Sequence, residues 1–96
     1  MKYVRIKYRN NSAPLPNVVF SELDDGLWEK RKVALFTDGS SAIAGEGVLA
    51  GETFLGLAPF PPIDDLAREP ELDVRIVEKR SFEEVWNEAM SGLKPR

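Results

Sequence analysis

Val18-Val19-Phe20-Ser21-Glu22-Leu23-Asp24-Asp25-Gly26-Leu27-Trp28-Glu29-Lys30-Arg31-Lys32-Val33-Ala34-Leu35 reads as strand, turn and strand. β-branched and aromatic residues at Val18, Val19 and Phe20 open a strand that continues through Ser21 and Glu22. Asp24-Asp25-Gly26 is a hairpin signal. A longer strand then runs from Leu27 or Trp28 to Thr37, with Leu27, Glu29, Arg31, Val33 and Leu35 on one side and Trp28, Lys30, Lys32, Ala34 and Phe36 on the other. Neither side is purely apolar, and a hairpin of this kind commits the chain to an antiparallel sheet.

The flanking segments extend that sheet. Before the hairpin, Val4, Ile6 and Tyr8 alternate with Tyr3, Arg5, Lys7 and Arg9, the period of a strand with one dry and one wet side. Asn10-Asn11-Ser12-Ala13-Pro14-Leu15-Pro16 separates the two strands as a loop. After the hairpin, Asp38-Gly39 predicts another tight turn, and Ser41 to Val48 a strand paired antiparallel with its predecessor. Glycines at 45, 47, 51 and 56 predict bulges or an irregular hairpin over that stretch.

The C-terminal third changes period. Proline before Ile63-Asp64-Asp65-Leu66-Ala67-Arg68, with acids near the start, predicts a short helix near residues 62–68. Asp73 to Val77 is a further candidate strand. Ser81-Phe82-Glu83-Glu84 has the spacing of a capping box, and Phe82, Val85, Trp86, Ala89, Met90 and Leu93 form one helical stripe able to cover a sheet, ended by Gly92 and Pro95. The expectation is a single α+β domain over residues 1–96: an antiparallel sheet of four to five strands, the final helix packed on one face.

Composition narrows the chemistry. Among 96 residues there is no histidine and no cysteine, so the usual neutral-pH proton shuttle, the strongest nucleophile and the soft metal ligands are missing. Gly45-Glu46-Gly47-Val48-Leu49-Ala50-Gly51 lacks the spacing and the lysine of a phosphate loop. Asp24-Asp25 and Asp64-Asp65 are too few oxygens for calcium and fit turn formation and helix capping. Ser40-Ser41 has no base beside it. The reading is therefore a non-enzymatic domain with no cofactor and no metal. No apolar run approaches the roughly 20 residues of a membrane span. Charges break up the N-terminal segment, so an unexported, cytoplasmic protein is expected.

Formal net charge is −3, unevenly spread: +3 over residues 1–36, −7 over 37–73 and +1 over 74–96. Asp38, Glu46, Glu52, Asp64, Asp65, Glu69, Glu71 and Asp73 make the middle acidic. Gathered on one face they would attract a basic protein and repel nucleic acid; scattered, they are the solvated sides of turns. Lys30-Arg31-Lys32 and Arg5, Lys7, Arg9 would form a basic stripe only if their strands were neighbours, and cross-strand pairing with Glu22 or Glu29 competes with that. Trp86 belongs to the helix stripe. Trp28, beside an acidic turn, suits either an interaction anchor or a place under the final helix, while Phe54, Leu55, Leu57, Phe60 and Ile63 suit a satellite core or an apolar docking loop.

The stretch from Ser21 to Val33, the later Asp38-Gly39 turn and the ending Ser81-Phe82-Glu83-Glu84-Val85-Trp86 resemble a family of small uncharacterised bacterial domains with the pattern S-E-L-D-x-x-x-W-E-x-R-K-V, a D-G turn and an F-E-x-x-W helix. That resemblance implies a bacterial single-domain protein, some of whose relatives look like immunity proteins of toxin systems. Combined with the acidic middle, it leads to an expected function: neutralising a cognate protein toxin, such as a nuclease, with no nucleic-acid or membrane partner and an oligomeric state left open. Asp24, Asp25, Trp28 and Glu29 are the expected interface, with Asp64 and Asp65 as a second cluster. A self-associating or adaptor domain, and an enzyme working through carboxylates, are the competing expectations.

Overall fold

A computed structural model of the chain describes residues 1–9, 16–51, 53 and 55–92. Most of the Asn10–Pro16 loop, Glu52, Phe54, Leu93 and Pro95 lie outside the described residues. The elements are β1 (Lys2–Tyr8), β2 (Val18–Leu23), β3 (Glu29–Leu35), β4 (Ser41–Gly45), β5 (Val48–Ala50), α1 (Ile63–Ala67), β6 (Leu72–Val77) and α2 (Lys79–Ser91). All strand pairings are antiparallel, in the order β5-β4-β3-β2-β1-β6, so the domain is α+β with a six-stranded open sheet.

The sixth strand comes from splitting the expected Ser41–Val48 strand. Glu46 and Gly47, at φ 53° and 77°, form a two-residue turn that folds Val48–Ala50 back onto Ile43–Gly45. Gly45 makes the split possible. A Cβ there would stand 2.5 Å from the Lys30 carbonyl oxygen and 2.9 Å from Arg31 Cα, so only glycine lets β4 lie this close to β3. Asp73–Val77 forms as expected, one residue longer at its start, and pairs with β1 across the long intervening chain.

Both faces of the sheet are covered, which alters the reading of β1. Tyr3, expected on a wet side, is 7% exposed because α2 lies over that side, with the Tyr3 and Phe82 rings 5.4 Å apart. Beneath α2, Tyr3, Val18, Phe20, Val33 and Ile43 meet Phe82, Trp86 and Ala89. On the opposite face Val4, Ile6 and Leu23 pack against Leu27, Phe60, Ile63 and Leu66, so that α1 and the chain leading to it form the second cover. β2, central and covered twice, is buried at all of its positions.

Two local expectations give way to tertiary geometry. α2 begins at Lys79 with Glu78 as its N-cap and has no side-chain cap, so Ser81 and Glu84 do not make a capping box. The helix starts three residues early because it leaves β6 directly, and Glu83 is drawn to Arg31 on the sheet. The alternation assigned to the third strand also breaks. The register slips between Glu22 and Leu23, which pair with Arg31 and Glu29, leaving Lys30 as an extra residue. Arg31 therefore faces α2, while Glu29 turns to the other face with Ser21.

Candidate functional site

The β2–β3 connection is a tightly specified turn. Asp24 Oδ1 accepts hydrogen bonds from the Gly26 and Trp28 amides, both at 2.9 Å, while the Leu27 amide donates to the Asp24 carbonyl and the Asp24 amide to the Trp28 carbonyl. This is an Asx turn nested in a hairpin loop. The left-handed residue is not glycine but Leu27, at φ 65°, a conformation that costs a side-chain-bearing residue about 1–2 kcal/mol. Burial offsets that cost: Leu27 packs beside Leu23 and Phe60, and its carbonyl accepts the Phe60 amide at 2.9 Å.

What the turn holds outward is Trp28. It is 44% exposed, so of the two places expected for it the structure selects the surface and not the space under α2. Its indole lies against Gly26, where an added Cβ would come within 3.3 Å of Cδ1. Asp25 is exposed at the tip. Asp24 is spent on the turn: the Trp28 amide, then the Gly26 amide and Lys30 at 3.6 Å, hold its carboxyl below the usual range.

Glu29, expected at the same interface, is 6% exposed and unavailable at a surface. The bulge at Lys30 buries it, and its carboxylate accepts hydrogen bonds from Ser21 Oγ at 2.7 Å and the Gly56 amide at 2.9 Å. It fastens the 55–60 segment to the sheet. Asp64 and Asp65 sit in the first turn of α1, with Asp65 3.4 Å from Arg68. The Leu27–Phe60 hydrogen bond and the shared packing of Leu27, Phe60 and Ile63 set both acidic segments beside one apolar cluster, although they are far apart in sequence.

Asp38, Glu46 and Asp73 do not join one acidic face. Glu46, in the β4–β5 turn, and Asp73, on β6, lie at opposite edges of the sheet, and Asp38 lies at the end of the sheet away from Glu46. Several of these acids have their own partner: Glu46 is 3.8 Å from Arg31, Asp73 3.3 Å from Arg75, and Asp38 binds the Ser40 amide. The conditional basic stripe fails as well, because β2 separates β1 from β3.

Sequence spacing did not reveal the most connected side chain. Arg31, 6% exposed, donates to Glu22 from Nε and Nη2 at 2.9 and 2.8 Å and to Glu83 from Nη1 and Nη2 at 2.7 and 3.0 Å. Its Cζ lies 4.8 Å from the Phe82 ring centroid and 5.1 Å from that of Trp86. Hydrogen bonds from Arg31 hold the Glu22 and Glu83 carboxyls below the usual range, and a hydrogen bond from Tyr3 adds to the effect on Glu22. Burial raises the Tyr3 hydroxyl, and hydrogen bonding to Glu22 raises the arginine. Catalysis by paired carboxylates needs one whose pKa is raised so that it can donate a proton. Here both are stabilised as anions, and the arrangement fastens α2 to the sheet. No three acids converge in a way that could hold a metal ion among the described residues, and none of their helices is long and apolar enough to cross a membrane.

Residues 2–91 match the family described as Domain of unknown function (DUF6881). The chain belongs to this family. The match covers the whole sheet and α2, so the Trp28 turn and the Arg31 network both lie inside the family's domain. No curated protein and no solved structure matches the chain.

Proposed function

We propose that this domain acts by binding a protein, as an immunity-type inhibitor that neutralises a cognate bacterial toxin in the cytoplasm, with a nuclease as the target class. The observation that carries the reading is Trp28: a large aromatic side chain left 44% exposed on a turn braced by Asp24, by a strained Leu27 and by Phe60. Exposed tryptophans on preorganised backbone are the side chains that most often dominate a protein interface, since little entropy is lost when they dock. Strain at an exposed turn, held in place by surrounding contacts, is typical of functional positions.

Charge sets the partner class. Asp25 on the same turn as Trp28, with Asp64 and Asp65 on α1, offers carboxylates to a cationic surface, and the phosphate-binding groove of a nuclease is such a surface. Because Asp38, Glu46 and Asp73 lie apart on the sheet, the electrostatic part of this reading rests on Asp25, Asp64 and Asp65. Coexpression with the product of the adjacent upstream gene is the test, read by copurification and by rescue of growth. Trp28→Ala and Asp25→Lys should keep the fold and lose both the complex and the rescue; absence of complex and rescue with the unaltered chain would end the reading.

A further inference from the structure

We propose that β6 is a self-recognition edge: two copies of the chain pair their β6 strands antiparallel about a two-fold axis through Val74, joining two sheets into one. β6 closes the strand order and has β1 as its single neighbour, so along the described chain half of its backbone groups point away from the sheet. Its sequence, Leu72-Asp73-Val74-Arg75-Ile76, is complementary to its own reversal: apolar positions fall on apolar ones and the acid falls on the base. In an antiparallel pair centred on Val74, Asp73 of each copy faces Arg75 of the other, Leu72 faces Ile76 and Val74 faces itself. From Leu72 to Ile76 all cross-strand pairs are complementary in this register, and a shift by two residues in either direction sets Asp73 or Arg75 against its own copy.

Charged residues on an edge strand ordinarily discourage pairing. They do so when like charges meet, and this order of signs makes opposite charges meet. The register within the chain supplies a second reason. β1 sets Arg5 directly opposite Arg75, a like-charged pair in which Asp73 of the same strand, 3.3 Å from Arg75, is the one counter-charge among the described contacts. The second copy's Asp73 would flank Arg75 from its open side and give the two arginines a second counter-charge. Ile76, 67% exposed, would gain an apolar neighbour in the second copy's Leu72. The other edge of the sheet has none of this: β5 has only three residues and ends at Gly51, which is folded against Ala42.

A single strand pairing buries an area near or below the roughly 1,200 Å² that marks weak, transient interfaces. Self-association is therefore expected in the micromolar range, and sedimentation velocity on the full chain from about 10 µM to 1 mM reads it. The unaltered chain should sediment increasingly as a dimer across this range. Asp73→Arg and Arg75→Asp, each alone, should sediment as monomers because each brings like charges together. An equimolar mixture of the two variants should dimerise again, since two arginines then face two aspartates. Val74→Cys, in a chain with no other cysteine, should oxidise to a disulfide-linked dimer, whereas Ile76→Cys, which would face Leu72, should not. A strictly monomeric unaltered chain, single reversals that still dimerise, or a mixture that stays monomeric would each overturn the proposal. The result is independent of the toxin reading, which rests on the β2–β3 turn.

Discussion

The two faces of the sheet each bury a glutamate and satisfy it by different means. Toward α2, Glu22 is ion-paired with Arg31, which also grips Glu83 and lies beside the rings of Phe82 and Trp86. Toward α1, Glu29 accepts from a hydroxyl and a backbone amide. The first arrangement clamps a helix to the sheet through a charge shared by two elements, and the second pins an irregular segment. A helix has no free backbone donors along its flank, so a side-chain ion must do the joining, whereas the 55–60 segment can offer the Gly56 amide directly.

The sharpest way to break the comparison is Arg31→Met. It leaves Glu22 and Glu83 as carboxylates in a half-dry site without their cation, and removing one partner of a buried ion pair costs about 3–5 kcal/mol. Urea unfolding should show that loss. Glu29→Ala should cost less, about 1–3 kcal/mol for the hydrogen bonds forfeited at Ser21 and Gly56. Amide exchange should locate this second effect in residues 55–60, with α2 still protected; equal loosening of both faces would show that they are not separately fastened.

Acid sharpens the contrast further. Hydrogen bonds from Arg31 lower the folded-state pKa values of Glu22 and Glu83 below the ordinary 4.5, so their contribution is complete above that value and drains away as pH falls through the lower folded values. Unfolding profiles between pH 6 and about 2 should therefore show a loss of stability that is smaller in Glu83→Gln. The smallest effect belongs to Ser81→Ala. A genuine N-cap loses about 1 kcal/mol on truncation, but Ser81 makes no cap here, so the change should stay within about 0.5 kcal/mol.

The contrast between faces also explains what could be read in advance. The Ser21–Val33 hairpin, the Asp38-Gly39 turn, the helix near 62–68 and the apolar stripe of α2 are local patterns, and each formed. At the candidate site, Asp24, Asp25 and Trp28 stand together as their proximity in the chain implies. Glu29 left that group because a bulge, invisible to simple alternation, reversed its side. Arg31 looked like one member of a basic run. Its position opposite Glu22 could have been inferred from the hairpin register, but Glu83 lies 52 residues away and only the path of α2 brings it in.

By itself the amino-acid sequence determined the alternation, the turn chemistry, the amphipathic helix and the class of the domain, because these depend on neighbours within a few positions and on the periods 2.0 and 3.6. Tertiary structure alone decided that β6 docks beside β1, that both faces are covered, that Asp38, Glu46 and Asp73 lie apart and that Trp28 is displayed while Glu29 is hidden. Strand order and register are set by the joint burial of residues far apart in the chain, and no local pattern carries that information.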